Sequence, residues 1–364
     1  MKKLSNPQAC LTCAHPPFTV GSMAYSGVGD AMRPYGKKAL LIGGDRALAA
    51  GFYPLQEAVA SQGITLSVRP FSGEATMETA QEAAEAARVL EAGVILGMGG
   101  GRAIDTAKAA AHYAAKPVIT LPTIPATCAA ATALSVLHHP GLTAYDPFLF
   151  LDAPPLHVFI HTGILAASPA MYLRAGIGDS LTKHVEAAYK AGDEALGYND
   201  RLGLAVARMG YEALMAVGEA ALDDAKRGLD SAAFRLACQM CIINTGLVSL
   251  LVQDRFNGGL AHALYYALHE LPEVARHLHG DVVAWGSLVQ LCLEGKEDQA
   301  LLLRDFLGRL DIPCTLQGLG IALDDARLLA LLPDALSQQD MADAPGKVDE
   351  AMLRRALIKA ETLG

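Results

Sequence analysis

Three side chains of types that bind divalent metals lie in apolar, helix-like surroundings. Asp179 lies in the segment AGIGDSL, His262 in GGLAHA and His279 in HLHGD. One carboxylate and two imidazoles can hold a divalent cation and leave one coordination position open, as a Lewis-acid catalyst requires. The three residues are far apart in sequence, so their spacing alone does not establish a site. A single histidine on a helix is more often structural.

A glycine-rich segment follows a strand-like run and reads GMGGGRAIDTAK, from Gly97 to Lys108. Glycines let the backbone approach a pyrophosphate, and the N-terminus of the following helix presents N–H groups. The segment is neither GxGxxG nor a Walker loop. On its spacing alone, a cofactor-binding loop and a plain tight turn are equally open.

Two further loops are expected at the same edge of the predicted sheet. Leu121 to Thr127, with the sequence LPTIPAT, follows the next strand-like run, and Asp45 follows the first one. A carboxylate there can accept hydrogen bonds from the adenosine ribose and repel a 2′-phosphate. Asp45 is equally well explained as the N-cap of a helix that begins near Arg46.

The elements that must position these residues alternate between strand-like and helix-like segments from residue 39 to residue 152. This order predicts a parallel sheet covered by helices. Beyond Pro169, long Ala- and Leu-rich stretches predict helices only. The sequence therefore predicts an α/β dinucleotide-binding domain over residues 1–164 and an all-α, metal-binding domain over residues 165–364. No linker separates the two, which favours tightly packed domains with a cleft between them. The strand-like runs are 39–42, 64–71, 93–96 and 116–121, and the helix-like runs include 46–62 and 76–91.

Composition limits the classes of partner. The 364 residues are 52% hydrophobic and 18% charged, and the formal charge is −9, which indicates globular domains and disfavours nucleic acids and acidic membranes. A small-molecule substrate is expected instead. The N-terminal residues MKKLSNPQAC precede no apolar stretch typical of a signal peptide, and no run approaching about 20 apolar residues is evident, so a cytoplasmic protein is expected.

The seven cysteines include two C-x-x-C pairs, Cys10 with Cys13 and Cys238 with Cys241. The pairs are separated by far more than the roughly 15–20 residues of a zinc ribbon. The second pair lies in an apolar, helix-like stretch, where buried packing is favoured. A disulfide framework is not expected in a chain of this size.

Together these segments resemble the iron-containing alcohol dehydrogenase superfamily, and within it the glycerol-dehydrogenase-like branch. The resemblance covers nearly the whole chain and is carried by GMGGGRAIDTAK, LPTIPATCAAATALSV, AGIGDSLTKHVEA, GGLAHAL and HGDVVAWGSLVQL, in the family's order. It implies a dehydroquinate-synthase-like fold, with the active site between an α/β and a helical domain, and a homo-oligomer.

The resemblance also implies the ligands. The family's metal ligands fall on Asp179, His262 and His279, with zinc expected rather than iron. NAD is the expected cofactor, and NADP remains an alternative. The family's cofactor contacts fall on Asp45, Gly99, Gly100, Gly101, Arg102, Ala103, Thr123, Ile124, Pro125, Ala126, Thr132, Leu134 and His138.

Three departures from the family pattern concern the substrate. Glycerol dehydrogenases carry a substrate-binding Asp where this chain has Cys128, and iron-type enzymes carry a fourth ligand, His, where this chain has Lys183. A second histidine after the first imidazole ligand is replaced by Tyr265 or Tyr266. The versions ATCAA and GDxLxK are similar to the hydroxycarboxylate dehydrogenase members, which reduce 2-oxo acids. Cys128 and Lys183 are therefore predicted substrate contacts, Lys183 with a catalytic role.

Lys183 allows three interpretations. It can pair with a substrate carboxylate, it can pair with Asp179 and weaken or replace the metal, or it can extend along the surface into solvent. The predicted activity is metal-dependent hydride transfer between NAD(P) and a small alcohol, polyol or 2-hydroxy/2-oxo acid. Tyr265, Tyr266 and His269 are candidate proton relays by position, each more readily explained as structural.

Three other functions are compatible with the sequence. The first is glycerol dehydrogenase proper. The second is a lyase or cyclase of the dehydroquinate-synthase type, which normally needs several basic residues near the metal, whereas the candidates here are Lys183, Arg255 and Arg276. The third is a catalytically silent binding protein.

Overall fold

The computed structural model describes residues 13–138 and 148–363, so Cys10 of the first C-x-x-C pair lies outside the described residues. The chain divides into two compact units. The first comprises residues 1–170 together with 224–235, and the second comprises 171–223 together with 236–364. The first unit thus extends to residue 170, past the predicted boundary at residue 164. It also includes residues 224–235, which were predicted to belong to the helical domain.

The first unit contains a parallel sheet of six strands among the described residues, in the order β1-β8-β5-β4-β2-β3. A short antiparallel pair, β6 with β7, stands apart from it. The strands are β1 Phe18–Gly21, β2 Lys38–Gly44, β3 Thr65–Phe71, β4 Val94–Gly99, β5 Val118–Pro122, β6 Leu134–Ser135, β7 Leu149–Phe150 and β8 His157–His161. The helices are α1 Val28–Met32, α2 Asp45–Ala60, α3 Met77–Val89, α4 Gly101–Ala114 and α5 Thr162–Ala166, with 3₁₀ turns at Ala24–Gly27, Arg33–Tyr35 and Ala129–Ala131.

Helices cover both faces of this sheet. Successive strand residues point to opposite faces, so Leu41 packs with α1 and α2 whereas Leu40 and Ile42 pack with α3 and α4. Both sets are fully buried, as expected for a parallel sheet with helices on each side. The predicted α/β architecture is confirmed. The edge strand β1 and its neighbour β8 were not predicted, because neither belongs to the alternating stretch.

The rest of the chain is helical, as predicted. The helices are α6 Met171–Ala191, α7 Tyr198–Lys226, α8 Ala232–Gln239, α9 Thr245–Leu251, α10 Leu260–Leu268, α11 His279–Leu293, α12 Glu297–Arg309, α13 Ala326–Ser337, α14 Gln339–Ala342 and α15 Glu350–Glu361. A π-helical turn, Met240–Asn244, joins α8 to α9, and 3₁₀ turns lie at Asp254–Phe256 and Val274–Arg276.

One helical segment of the described residues, Ala232–Leu251, is long and apolar enough to cross a membrane by length and composition. Its mean hydropathy is 1.5, and the sequence reading overlooked it. The segment is 67% buried inside the protein, which is typical of a core helix. Cys238 and Cys241 lie within it and are buried, in agreement with the packing interpretation.

Candidate active site

Three helices of the second unit bring the predicted metal ligands together. Asp179 lies in the middle of α6, His262 in the first turn of α10, and His279 is the first residue of α11. The Nε2 atom of His279 is 3.5 Å from Asp179 Oδ1, and that of His262 is 3.9 Å from the same oxygen. One ligand atom from each residue lies within 4.8 Å of the others.

This geometry fits a divalent cation. Ligand atoms about 2.0–2.1 Å from a tetrahedral zinc are roughly 3.3 Å apart, close to the observed separations. The Asp179 side chain is only 9% exposed, and the cluster offers one carboxylate oxygen and two imidazole nitrogens as donors. The sequence-predicted triad is therefore assembled by the fold, with donors of the kind that zinc and iron accept.

Two glycines permit the close approach of α6 and α11. A Cβ atom on Gly280 would lie far inside the contact distance of the Ala175 carbonyl oxygen. A Cβ atom on Gly178 would collide with the carbonyl oxygen of Gly280 in the same way. Because these two positions lack side chains, the helix that carries Asp179 can lie directly against the start of the helix that carries His279.

Buried polar contacts fix the three helices further. Arg174 of α6 holds Asp281 of α11 in a bidentate ion pair, with Nε–Oδ1 and Nη2–Oδ2 distances of 3.0 and 2.7 Å. Gln290 accepts the N–H of Leu260 at 2.9 Å and donates to the Val185 carbonyl at 3.2 Å. These bonds link α11 to α6 and to the first turn of α10, so the ligand-bearing turns share one rigid network.

The charges at the site stabilise an ionised Asp179. Burial by itself raises the pKa of Asp179, but the hydrogen bond and charge of His279, followed by the charges of His262 and Lys183, outweigh it, so the pKa lies below its ordinary value. A deprotonated carboxylate is the form that binds a metal.

Glu186 is a buried residue of the site that sequence reasoning missed. It lies on the same face of α6 as Asp179 and Lys183, since the spacings of four and three residues keep side chains on one face. Its carboxylate accepts hydrogen bonds from both the backbone N–H and the ring Nδ1 of His262. The D-x-x-x-K-x-x-E spacing within an apolar helix was the signal that could have identified it.

Lys183 is buried, with 8% of its surface exposed, so the interpretation as a lysine extending into solvent is wrong. Its Nζ donates to the Asn257 carbonyl oxygen at 2.5 Å. No ion pair with Asp179 within 4.0 Å is among the contacts of the described residues, although the Lys183 charge contributes to the lowered pKa of Asp179. The ammonium therefore lies near the metal ligands without neutralising them by direct contact.

The aromatic residues after His262 line the same site. The Tyr265 ring packs edge-on against His279, with 4.4 Å between centroids, and stacks on His269 at 5.4 Å. His269 Nδ1 donates to the Tyr266 carbonyl at 2.8 Å. The contacts of Tyr265 hold the His279 ring in place, which is a structural role. Neither these contacts nor those of His269 identify a proton relay.

In the first unit, three loops meet at the carboxyl edge of the sheet. Gly99 adopts φ +150°, and Gly100 is the N-cap of α4 with no side-chain hydrogen bond capping the helix. A Cβ on Gly100 would lie 2.6 Å from Ile124 of the next loop, and one on Gly99 would lie 3.7 Å from Ala47, at the start of α2. The N–H groups of Gly101, Arg102 and Ala103 lie in the first turn of α4 and have no carbonyl partner within the helix. Such N–H groups can bind a pyrophosphate, and we call the segment from Gly99 to Ala103 the glycine cradle.

The remaining predicted cofactor residues surround this cradle or support it. Asp45 is exposed at the first position of α2, and the N-cap of that helix is Gly44, so the N-cap interpretation of Asp45 is wrong. The Thr123 N–H donates to the Gly99 carbonyl at 3.0 Å, which joins the two loops. The Arg102 and His138 side chains both approach Glu74. Pro125 is buried, whereas Ile124 and Ala126 are partly exposed.

Lys108 is a second buried lysine that sequence reasoning did not single out. Its Nζ donates to the Ala129 carbonyl at 2.7 Å, to Thr132 Oγ1 at 3.1 Å and to the Leu134 carbonyl, and it lies 2.9 Å from Asp105 Oδ1. One side chain of α4 therefore fixes the loop that carries the predicted contacts Cys128, Thr132 and Leu134. Cys128 lies at the N-cap of the 3₁₀ turn in this loop and is partly exposed.

Comparison with known proteins identifies chains similar to this one. The sequence profile of iron-containing alcohol dehydrogenases matches residues 16–150. The chain is 35% identical to hydroxycarboxylate dehydrogenase A of Escherichia coli K12 over 291 residues, 79% of either chain. It is 29% identical to glycerol dehydrogenase of Escherichia coli O6:H1 over 356 residues, 95% of either chain. The crystal structure of glycerol dehydrogenase from Schizosaccharomyces pombe has the same fold, with a TM-score of 0.85 at 24% identity over 97% of this chain and 91% of that one.

A glycine cradle at a parallel sheet edge and an Asp-His-His cluster define a metal-dependent, nicotinamide-linked oxidoreductase that acts on the CH–OH group of a small alcohol, polyol or hydroxy acid. The chain belongs to the iron-containing alcohol dehydrogenase family, as the sequence resemblance predicted.

Proposed function

We propose that this enzyme reduces small 2-oxo acids to 2-hydroxy acids with NADH and zinc. The observation that carries the proposal is Lys183, a buried ammonium one helical turn after Asp179. A buried cation next to the metal ligands favours an anionic substrate over a neutral polyol, because a charge-assisted hydrogen bond contributes roughly 1.5–3 kcal/mol.

The Lys183 ammonium has hydrogen-bond donors that a substrate carboxylate could use. One hydrogen bond, to the Asn257 carbonyl, holds the ammonium in place, and an ammonium has three donors. Its charge also acts on Glu186 and on Asp340 of α14. Burial raises the pKa of Asp340, and the charges of His262, Lys183 and Lys190 oppose that increase.

Two further observations support an acid substrate. Cys128 stands where glycerol dehydrogenases have an acceptor for a polyol hydroxyl, and a thiol accepts hydrogen bonds weakly. A relative called hydroxycarboxylate dehydrogenase A is 35% identical over 79% of this chain, so an enzyme named for a hydroxy acid is among its relatives. Glycerol dehydrogenase remains the second candidate, because relatives of that name reach 34% identity and match up to 95% of the chain.

Each group of residues has a separate role in the proposed reaction. Asp179, His262 and His279 would hold the metal, which supplies a Lewis acid when bound. Lys183 binds the substrate carboxylate and so orients the reacting carbon. The glycine cradle from Gly99 to Ala103 positions the cofactor phosphates. Packing of α6, α10 and α11 buries most of Asp179 and His262, which lowers solvent screening of the charges beside them.

The proposed activity is tested by following NADH absorbance with the zinc-loaded enzyme. We expect faster NADH consumption with pyruvate or 2-oxobutanoate than NADH formation with glycerol, each compared as kcat/KM. A preference for glycerol would return the assignment to glycerol dehydrogenase. No net change in NADH with any of these substrates would favour the cyclase or the silent binding protein. Zinc rather than iron, the homo-oligomer, the cytoplasmic location and the domain boundary at residue 164 stay predictions.

We predict a preference for NADH over NADPH because of Asp45. An exposed carboxylate at the start of α2 accepts from a ribose hydroxyl and repels a 2′-phosphate. Asp45→Ser should lower the ratio of kcat/KM for NADH to kcat/KM for NADPH, mainly by raising the value for NADPH. Arg46→Ala is the control and should preserve the NADH preference. A wild-type enzyme that uses NADPH with the higher kcat/KM would contradict the role given to Asp45.

Lys183→Met should raise the KM for a 2-oxo acid more than about tenfold, because it removes the charge at similar length. The KM for a neutral ketone, such as hydroxyacetone, should change little. Lys190→Met is a matched control, since Lys190 is also a buried lysine of α6 that donates to one backbone carbonyl, that of Asp340. Equal effects of Lys183→Met on both substrates would mean that Lys183 is structural.

A further inference from the structure

Glu186 contacts His262 through two hydrogen bonds that have different consequences. Its Oε1 accepts the backbone N–H of His262 at 2.9 Å, and its Oε2 lies 2.6 Å from the ring Nδ1. The carboxylate is completely buried. From these contacts we infer that Glu186 is a positioning residue, which fixes the ring orientation and tautomer of His262 so that Nε2 presents a lone pair toward Asp179. The inference rests on the proposed metal site.

The tautomer follows from the chemistry of the partners. An ionised carboxylate only accepts hydrogen bonds, so the short contact requires a proton on Nδ1 of His262. In the neutral ring Nε2 then carries the lone pair, and Nε2 is the atom 3.9 Å from Asp179 Oδ1. A negative partner at Nδ1 also makes Nε2 a stronger donor to a cation, as in other carboxylate–histidine–metal arrangements.

The ring also has little freedom to turn. The backbone contact anchors the Glu186 carboxylate beside the first turn of α10, and the side-chain contact then fixes the imidazole plane relative to that carboxylate. The Glu186 side chain has no exposed surface, so solvent does not compete for either contact.

A purely structural role is the competing explanation. The His262 N–H is one of the amides that the first turn of α10 leaves without a helical partner, and Glu186 caps it. The same chain contains a buried carboxylate comparable to Glu186 whose contacts are purely structural. Asp200 of α7 is also buried, and it accepts the backbone N–H and the side-chain Nε2 of Gln253, which is not a metal ligand, at 2.9 and 2.7 Å.

The experiment compares zinc affinity, measured by competition with a chromophoric chelator, in the wild type, Glu186→Gln and Asp200→Asn. We expect Glu186→Gln to weaken zinc binding by about 10–100-fold, because an amide can donate to Nδ1 and stabilise the wrong tautomer. Asp200→Asn should bind zinc as the wild type does, even if its melting temperature falls equally. Cobalt-loaded Glu186→Gln at saturation should show a visible spectrum different from that of the wild type.

Each failure has a separate meaning. A wild type that binds neither zinc nor cobalt would overturn the proposed metal site itself. A folded Glu186→Gln that binds zinc within about twofold of the wild type and has an unchanged cobalt spectrum would overturn the positioning role, leaving the metal site intact. If Glu186→Gln does not fold, Glu186→Asp, which keeps the charge but shortens the reach, is measured in the same way. Wild-type affinity in that variant would equally contradict the inference.

Discussion

His262→Ala and His279→Ala will each lose the bound metal and the dehydrogenase activity while the protein stays folded. Two remaining ligands cannot complete a coordination shell of the kind that three protein donors and one open position provide. We therefore expect zinc affinity to fall by more than the roughly 10–100-fold typical of residues that only support a ligand. Metal analysis of the purified variants and chelator competition measure the loss, and circular dichroism reports the fold.

We expect the fold to survive alanine at these positions, and Glu186 keeps its contact with the backbone N–H of residue 262 in His262→Ala. His279 is 28% exposed, and both rings face the polar metal cluster, so truncation leaves a space that water can fill. His112→Ala, on the exposed face of α4 in the other unit, is the control and should retain both metal and activity. Full activity in either ligand variant would contradict the metal-dependent mechanism.

Gly280→Ala will destabilise the protein by more than the roughly 1–3 kcal/mol that overpacking usually costs. The added methyl group would meet the carbonyl oxygen, carbonyl carbon and Cα of Ala175, which are backbone atoms of α6 and cannot rotate away. Relief requires α6 and α11 to separate, which would also move His279 away from Asp179. We expect a lower midpoint of urea unfolding and, in any folded fraction, weaker zinc binding.

Gly308→Ala is the matched control for this substitution. Gly308 also lies in a helix, α12, but an added Cβ there would meet nothing within 4 Å. Alanine in place of glycine should then stabilise the helix by about 0.5–1 kcal/mol, because the unfolded chain loses freedom and no contact is disturbed. If Gly280→Ala and Gly308→Ala had equal stabilities, the close approach of α6 and α11 would not be essential.

The sequence by itself determined the elements that follow from local patterns. β2, β4 and β5 were predicted because each is a short apolar run between turn residues, and α3 and α4 because they are rich in alanine. The glycine loop was placed correctly because it follows a strand directly. Local patterns also indicated a helical second half. In each case the information lies within about 15 neighbouring residues, the range over which helical and strand periodicity acts.

Only the tertiary structure decided which distant segments of the chain contact one another. β1 pairs with β8, which lies far from it in sequence, and no local pattern in either strand identifies its partner. The metal triad came from family resemblance, because its spacing carries no information when the ligands lie on three separate helices. The burial of Lys183, the partner of Glu186 and the need for glycine at position 280 depend on how α6, α10 and α11 pack. Packing is a sum of many non-local contacts, and a residue's own sequence neighbourhood does not specify which of them form.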